Sequence, residues 1–285
     1  MAVAFSHFPA RIIGVDTALK PMLHPIPSFT FASAGTIRFG RGQAAAAAGL
    51  CAGYGPSVLL VHGQSATRAT WLLDDLRAQG CRVTALACAQ EPTLPVLEQA
   101  LHTLRAQPPD VVISLGGGSV IDLGKALAAL IPSDCTPLDH LEGVGQGLPL
   151  TRAPLPFVAL PTTAGTGAEV TKNAVIGLPE HHRKVSLRDA RMVPDVAIID
   201  PALMQSAPKS VLLAAGLDAI TQVIEPYVCA KATPMTDALC RAAIPTGLTA
   251  LKQLMTATPP DPDAMDAMAW TSLCGGLALA NAGLG

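Results

Sequence analysis

The sequence predicts an α/β protein: a doubly wound, mainly parallel sheet forms the N-terminal domain and an all-α domain follows it. Apolar strand-like runs alternate with helix-like stretches between residues 44 and 170, which is the pattern of βαβ units. Beyond residue 200 the pattern becomes helical only. Half of the residues are hydrophobic and 14% are charged, a composition typical of a well-buried globular protein. At 285 residues the chain is long enough for two domains.

The N-terminal half is predicted as short elements in close succession. Residues 1–28 are predicted to be an irregular lead, and residues 29–42, which end in a glycine turn, predict a short hairpin. Helices are predicted at residues 44–51, 67–79 and 94–106, and strands at residues 57–61, 81–86, 111–115 and 156–160. One more strand, residues 196–199, completes the predicted sheet.

The C-terminal part is predicted as three long helices, at residues 209–230, 234–256 and 262–285, with the domain boundary between residues 165 and 200. Residues 267–285 carry no charge and nearly reach the length of a membrane span. They include polar residues and lack a basic flank, so we predict a buried helix and no membrane interaction.

Charge and cysteine usage restrict the class of protein. The net charge of −2 and the pI near 6.4 argue against nucleic acid as a partner. Seven single cysteines without a C-x-x-C motif indicate reduced thiols. The first residues contain no continuous apolar segment of the kind found in secretory signals. These features predict a cytoplasmic protein.

Two loops rich in glycine, serine and threonine carry the strongest functional signal. The first is S-L-G-G-G-S-V-I-D-L-G-K at residues 114–125, and the second is P-T-T-A-G-T-G-A-E-V at residues 161–170. Each follows a predicted strand, a context that presents backbone N–H groups and hydroxyls to a phosphate. On adjacent strands they would hold one extended phosphate-bearing ligand from two sides. The alternative is that both are tight strand-to-helix turns.

The first loop matches neither common phosphate fingerprint. A dinucleotide motif starting at Gly116 needs glycine where Ile121 stands, and a P-loop needs glycine at position 119 and a hydroxyl at position 126. What remains is a glycine run followed by Ser119, a predicted helix N-cap, with Asp122 three residues later.

The second loop offers three hydroxyls, from Thr162, Thr163 and Thr166. Thr166 and Glu169 again have the spacing of a capping box, in which each side chain bonds the backbone of the other residue.

Together these motifs resemble the iron-containing (group III) alcohol dehydrogenase family, which is related to glycerol dehydrogenase and maleylacetate reductase. The resemblance rests on both loops and, in family order, on I-R-F-G-R-G from Ile37, P-D-V-A-I-I-D-P from Pro194, G-L-D-A-I-T-Q-V-I-E-P-Y-V from Gly216 and K-A-T-P-M-T-D-A-L from Lys231. It implies an NAD(P)-binding domain at residues 29–190. It also implies a helical metal- and substrate-binding domain at residues 191–285, which is incomplete because the family's further helices and metal-binding histidines would follow.

The resemblance implies NAD or NADP as cofactor, with the first loop around the pyrophosphate and Lys184 reaching the ribose region. The residues implied in cofactor binding are Gly116, Gly117, Gly118, Ser119, Val120, Asp122, Thr162, Thr163, Thr166 and Lys184. The family commonly has an acid at the end of its first long strand, where it bonds the ribose hydroxyls. Here that place falls on Gly63, and Arg68 follows closely, so NADP is as plausible as NAD.

The resemblance also implies a divalent metal, Fe or Zn. The family has Asp followed four residues later by His on one helix face, and here the pair is Asp218 and Gln222. Glutamine is a weaker ligand than imidazole, so a buried hydrogen-bonding role for Gln222 is an equal alternative. None of the seven histidines is expected to substitute, and His181 and His182 are expected on an exposed hairpin or loop.

The function implied by the resemblance is the interconversion of a small alcohol and an aldehyde or ketone by NAD(P)-dependent, metal-assisted hydride transfer in a homodimer. One alternative is a carbonyl reductase like maleylacetate reductase, which the loss of a metal-binding histidine fits. Another is a nucleotide-binding remnant without turnover. The catalytic residues stay unassigned.

Overall fold

The computed structural model describes residues 26–284, so most of the predicted lead at residues 1–28 lies outside the described residues. The strands are β1 (Thr36–Phe39), β2 (Ser57–Gly63), β3 (Arg82–Cys88), β4 (Val111–Gly116), β5 (Phe157–Pro161), β6 (Asn173–Leu178), β7 (Arg183–Arg188) and β8 (Val196–Ile199). Six of them form a parallel sheet in the order β1-β8-β5-β4-β2-β3, and β6 and β7 form a separate antiparallel hairpin.

Helices cover both faces of this sheet. They are α1 (Ala47–Ala52), α2 (Thr70–Ala78), α3 (Leu94–Leu104) and α4 (Gly118–Leu130). Val58 and Leu60 of β2 pack in one apolar cluster with α1 and α2, whereas Leu59 and Val61 pack in another with α3 and α4. A strand buried on both faces is apolar throughout, which is why these runs were visible in the sequence. The predicted doubly wound α/β architecture is confirmed.

The predicted hairpin at residues 29–42 is wrong. This segment contains the single strand β1, which pairs in parallel with β8 so that Thr36 lies opposite Val196. The backbone N–H of Gly35 donates to the Pro194 carbonyl at 3.1 Å, and that of Thr36 donates to the Asp195 carbonyl at 2.9 Å. A local pattern shows that a strand exists but carries no information on a partner this far along the chain.

The short helix α5 (Pro137–His140) follows α4 along the chain, and the β6–β7 hairpin follows β5. Strand β6 of the hairpin packs against α4, and the residues of its turn, 179–182, are exposed. His181 and His182 are exposed in that turn, and His182 has a φ of 48°. The expectation of an exposed hairpin for these histidines is confirmed.

The C-terminal part consists of α6 (Lys209–Val228), α7 (Pro234–Thr256) and α8 (Pro262–Ala282), close to the predicted bounds. These helices pack on one another and share an apolar cluster with Ala197 and Ile199 of β8. At Gly167, whose φ is 60°, a Cβ atom would lie 2.5 Å from Gly276 Cα on α8. The backbone of α8 therefore touches the second loop directly.

One helix among residues 26–284, α6, is long and apolar enough by length and composition to cross a membrane, and 39% of its apolar window is buried. Length and composition are weak evidence for a span, because core helices of globular proteins meet the same test. The other uncharged stretch, in α8, is mostly buried within the protein, as predicted.

Candidate functional site

A cleft opens at the carboxyl ends of β2 and β4, where the strand order reverses: the chain runs from β2 to β3 on one side and then to β4 on the other. In open parallel sheets, ligands bind at this switch point. The cleft has a volume of about 680 Å³, in the range of small-molecule sites. It is lined by the ends of three strands and the segment after β8, namely His62, Gly63, Gln64, Ser65, Arg68, Ala69, Leu115, Gly116, Gly117, Thr162, Ala202, Leu203 and Ser206.

The first loop presents bare backbone to this cleft. Gly116 ends β4, Gly117 is the N-cap of α4, and the helix begins at Gly118. A Cβ atom on Gly116 would collide with the side chain of Val120. The first turn of α4 leaves amide N–H groups without intrahelical acceptors, and the helix dipole favours an anion there. The loop therefore fits the diphosphate of a dinucleotide.

The prediction of Ser119 as N-cap is wrong. Ser119 lies in the first turn of α4, and Gly117 occupies the cap position without a side-chain hydrogen bond. The glycine run continues into the helix, so α4 starts two residues earlier than the spacing of Ser119 and Asp122 indicated. Burial raises the pKa of the Asp122 carboxyl to about 6, and the nearby Lys125 ammonium opposes this shift.

The second loop lies against the first, as expected for loops that follow the adjacent strands β4 and β5. The backbone N–H of Thr162 donates to the Gly116 carbonyl at 2.9 Å, and Thr162 lines the cleft. A Cβ atom on Gly117 would lie 3.3 Å from Thr163 Oγ1, and one on Gly118 would lie 2.8 Å from Thr166 Oγ1. Thr163 and Thr166 therefore face the glycines of the first loop and lie outside the cleft lining.

The predicted capping box of Thr166 and Glu169 is wrong, because Thr166 is not the N-cap and its hydroxyl does not bond the Glu169 N–H. Gly167 is the N-cap of a short 3-10 helix, Ala168–Val170, and Thr166 Oγ1 accepts from the Ala168 N–H at 3.3 Å. Glu169 makes no reciprocal cap, because its side chain is turned into the interior and is 2% exposed. Burial raises the pKa of the Glu169 carboxyl to about 7.

Lys125 connects α4 to the second loop. Its Nζ donates to the carbonyls of Ala168, Thr171 and Asn173 at 2.7, 2.9 and 2.9 Å, and to Thr171 Oγ1 at 3.0 Å. The side chain is 1% exposed, and burial lowers the pKa of the ammonium to about 8, against the opposing effects of Asp122 and Glu169. This lysine was part of the first sequence motif, but no role was assigned to it.

Lys184 lies on β7, outside the cleft lining, and its Nζ forms an exposed ion pair with Glu91 Oε2 at 2.6 Å. Ser119, Val120 and Asp122 also lie outside the lining. Of the residues expected to bind cofactor, the structure places Gly116, Gly117 and Thr162 on the cleft wall. The cofactor roles of these and of the other residues remain predictions.

The residues that the structure describes do not fit a divalent metal. Asp218 and Gln222 lie one turn apart on α6, but the Gln222 Nε2 donates to the Thr166 carbonyl at 2.6 Å. Burial, with a smaller effect from Glu225, raises the pKa of Asp218, which disfavours the carboxylate. Within residues 26–284, no group of three His, Cys, Asp or Glu side chains is placed to hold an ion. Ligation by Asp218 and Gln222 remains a prediction.

Sequence reasoning missed part of the cleft wall. Gln64 and Ser65 follow β2, and Ala202, Leu203 and Ser206 follow β8. These residues carry no motif of their own. The available signal was positional: each follows the carboxyl end of a parallel strand, the edge where ligands bind.

The family model described as iron-containing alcohol dehydrogenase matches residues 34–201, and that of the Fe-containing alcohol dehydrogenase C-terminal region matches residues 212–285. The chain is similar to a solved structure of 1,3-propanediol oxidoreductase, with a TM-score of 0.84 and 29% identity, over 91% of this chain and 68% of that one.

Curated relatives agree with this match. A probable alcohol dehydrogenase, EutG, of Escherichia coli (strain K12) is 36% identical over 75% of this chain and 53% of its own length. An NAD-dependent methanol dehydrogenase of Bacillus methanolicus is 34% identical over 74% of this chain and 54% of its own length. The chain thus spans about half the length of these relatives. Since the family models match well over half of it, the chain belongs to the iron-containing alcohol dehydrogenase family.

Proposed function

We propose that this chain is an NAD(P)-dependent oxidoreductase that interconverts an alcohol and an aldehyde or ketone by hydride transfer. The observation that carries the proposal is the glycine-walled cleft at the switch point of the sheet, with Gly116 and Gly117 beside the N-terminus of α4. A dinucleotide needs such a surface, because its diphosphate must approach the backbone closely.

In this proposal the chain's own residues bind and orient the cofactor. The N–H groups at the start of α4 bind the diphosphate, and Thr162 contacts it from the end of the neighbouring strand β5. Lys125 holds the end of the second loop against α4 through the Ala168 carbonyl. The nicotinamide supplies the hydride chemistry when bound, and the protein supplies orientation and electrostatics.

The names of the relatives support the substrate class. The proteins to which this chain is similar include a probable alcohol dehydrogenase, a methanol dehydrogenase and a 1,3-propanediol oxidoreductase, so small alcohols are the substrates that we propose, with the corresponding carbonyl compounds as products. We further propose that residues 29–190 bind the cofactor, that residues 191–285 contribute to the substrate side, and that the protein is a cytoplasmic homodimer. Size-exclusion chromatography with light scattering tests the oligomeric state.

Nucleotide binding to the purified 285-residue protein tests the proposal. Saturating NADPH or NADH should raise Tm, since a ligand at 100 times its Kd stabilises by about 2.7 kcal/mol. The variant Gly117→Asp should abolish this shift, because its carboxylate would lie where the diphosphate binds. Asp is a favoured N-cap residue, so we expect this variant to fold. The matched control Gly49→Asp introduces the same charge at an exposed position on α1, outside the cleft. No Tm shift with either nucleotide would contradict the proposal.

One observation favours a second candidate function, the reduction of a carbonyl without a metal. The Gln222 amide, at a predicted ligand position, is 9% exposed and is engaged with the Thr166 carbonyl. In that case, keto substrates should be reduced at the same rate before and after treatment with a chelator. Loss of activity on chelation and its return with Fe²⁺ or Zn²⁺ would support metal-assisted alcohol oxidation. Cofactor binding with no turnover of either substrate class would indicate a binding protein.

A further inference from the structure

The end of β2 lies where the cofactor's adenosine ribose would be bound. His62 of β2 is paired with Leu115 of β4, so Gly63 is level with Gly116 at the edge of the cleft. In dinucleotide-binding sheets, the strand beside the glycine loop ends next to this ribose. An acid there bonds the 2′-hydroxyl of NAD, whereas a nearby arginine accommodates the 2′-phosphate of NADP.

This end of the cleft is cationic. None of the described residues that line the cleft carries a carboxylate, and Arg68 is the residue among them with a permanent positive charge. The Arg68 guanidinium donates to the Ser206 carbonyl at 3.3 Å and forms no ion pair with a described carboxylate. Ser65, which precedes it, makes no side-chain cap. A guanidinium without a carboxylate partner retains its donors for an incoming anion.

The space around Gly63 is open. A Cβ atom built on Gly63 would meet nothing within 4 Å, and the backbone there is not in the left-handed region. Neither packing nor backbone conformation therefore requires glycine at this position. For a bound ligand, glycine at this position leaves room for a bulky group and places no negative charge beside a phosphate.

We infer that this cleft selects a dinucleotide with a 2′-phosphate, NADP(H), over NAD(H), with Arg68 and Ser65 receiving the phosphate where Gly63 leaves space. The inference rests on the proposed nucleotide-binding function. A guanidinium pairs with phosphate through two parallel charge-assisted hydrogen bonds. The 2′-hydroxyl of NAD would find no carboxylate on the described lining to accept its hydrogen bond. The preference for NADP therefore has two sources: Arg68 attracts the 2′-phosphate, and NAD lacks a partner for its 2′-hydroxyl.

Isothermal titration calorimetry on the 285-residue protein tests this selection. We expect NADP⁺ to bind at least about tenfold more tightly than NAD⁺, and Arg68→Gln to weaken NADP⁺ binding by about ten- to a hundredfold while leaving NAD⁺ binding unchanged. The control Arg77→Gln removes an exposed arginine from the last turn of α2, outside the cleft, and should change neither affinity. Gly63→Asp should reverse the preference, whereas Gly49→Asp should not.

The outcomes separate the inference from the function on which it rests. Equal binding of both nucleotides to the wild type, or equal effects of Arg68→Gln and Arg77→Gln, overturns the inference and leaves nucleotide binding intact. Binding of neither nucleotide overturns the proposed function as well. Competition on the wild type needs no variant: adenosine 2′,5′-diphosphate should displace bound NADPH more effectively than adenosine 5′-diphosphate. The reverse order would also overturn the inference.

Discussion

Replacing Lys125 with methionine is the most direct test of how the second loop is held. The ammonium donates to three backbone carbonyls and one hydroxyl at 2.7–3.0 Å, and the side chain is 1% exposed. Methionine has a similar length and flexibility but provides no donor. Lys125→Met would remove the charged donor from all of these acceptors, of which the Ala168 carbonyl keeps a bond from Thr171 Oγ1 at 3.3 Å, and the buried Glu169 would lose a neighbouring cation.

The expected magnitude follows from two opposing effects. Losing three hydrogen bonds from a charged donor costs roughly 1.5–3 kcal/mol each. Against this, the charged ammonium no longer has to be buried, and lowering its pKa to about 8 corresponds to about 3 kcal/mol. The net loss in the free energy of unfolding should be about 3 kcal/mol, or a fall in Tm of roughly 6–12 °C for a chain of this size.

Urea unfolding followed by circular dichroism measures this loss. The matched control is Lys252→Met, which makes the same change at an exposed position on α7 and should alter stability by less than about 0.5 kcal/mol. Equal losses in the two variants would refute the reasoning. NADPH titration well below Tm separates a positioning role from a purely structural one, because a displaced second loop should weaken cofactor binding in the folded variant.

Three further predictions concern the same loops. Glu169→Gln should gain stability over the wild type by up to about 3 kcal/mol as pH rises from 5 to 8 in thermal melts. Burial raises the pKa of the carboxyl from 4.5 to about 7, so the unfolded chain ionises first and the wild type loses stability between these two pH values and no more above them; a pH-independent difference would contradict this. Gly118→Ala should weaken NADPH binding severalfold in calorimetry, since its Cβ would press on Thr166 Oγ1 at 2.8 Å; unchanged affinity would count against contact between the loops. Gln222→Leu should cost about 0.5–1.5 kcal/mol in urea unfolding by removing the hydrogen bond to the Thr166 carbonyl, and the exposed Gln253→Leu should not; equal effects would contradict a role for this hydrogen bond.

The sequence was sufficient for features that depend on local pattern. The apolar runs of β2, β4 and β5 and the three C-terminal helices appear in the structure close to their predicted bounds. The contact between the two loops was also predicted, because the loops follow strands that were expected to be neighbours. Pairings between distant segments were not predictable in this way: β1 joins β8 in parallel, and no local pattern distinguishes that arrangement from a hairpin.

The sequence was least informative about side chains whose role depends on three-dimensional surroundings. Lys125 follows a glycine loop much as the lysine of a P-loop does, yet it lies outside the cleft lining and its amine binds carbonyls of the second loop and of the start of β6. Glu169 has the spacing of a capping residue but lies in the interior. In both cases the motif predicted a loop beside a helix correctly, while burial determined the direction of the side chain.

The N-terminus and the middle of α4 interact with different groups, and this connects the two loops. At its N-terminus the helix offers N–H groups to the cleft, while Lys125, two turns further on, binds the carbonyl of Ala168 in the second loop and that of Thr171 just after it. The same second loop contacts α8 through Gly167 and α6 through the Thr166 carbonyl. A shift of the C-terminal helices would therefore move Thr166 against Gly118 and change the cleft at its glycine wall. This mechanical link predicts that substitutions on α6 at Gln222 change cofactor affinity even though Gln222 is outside the cleft lining.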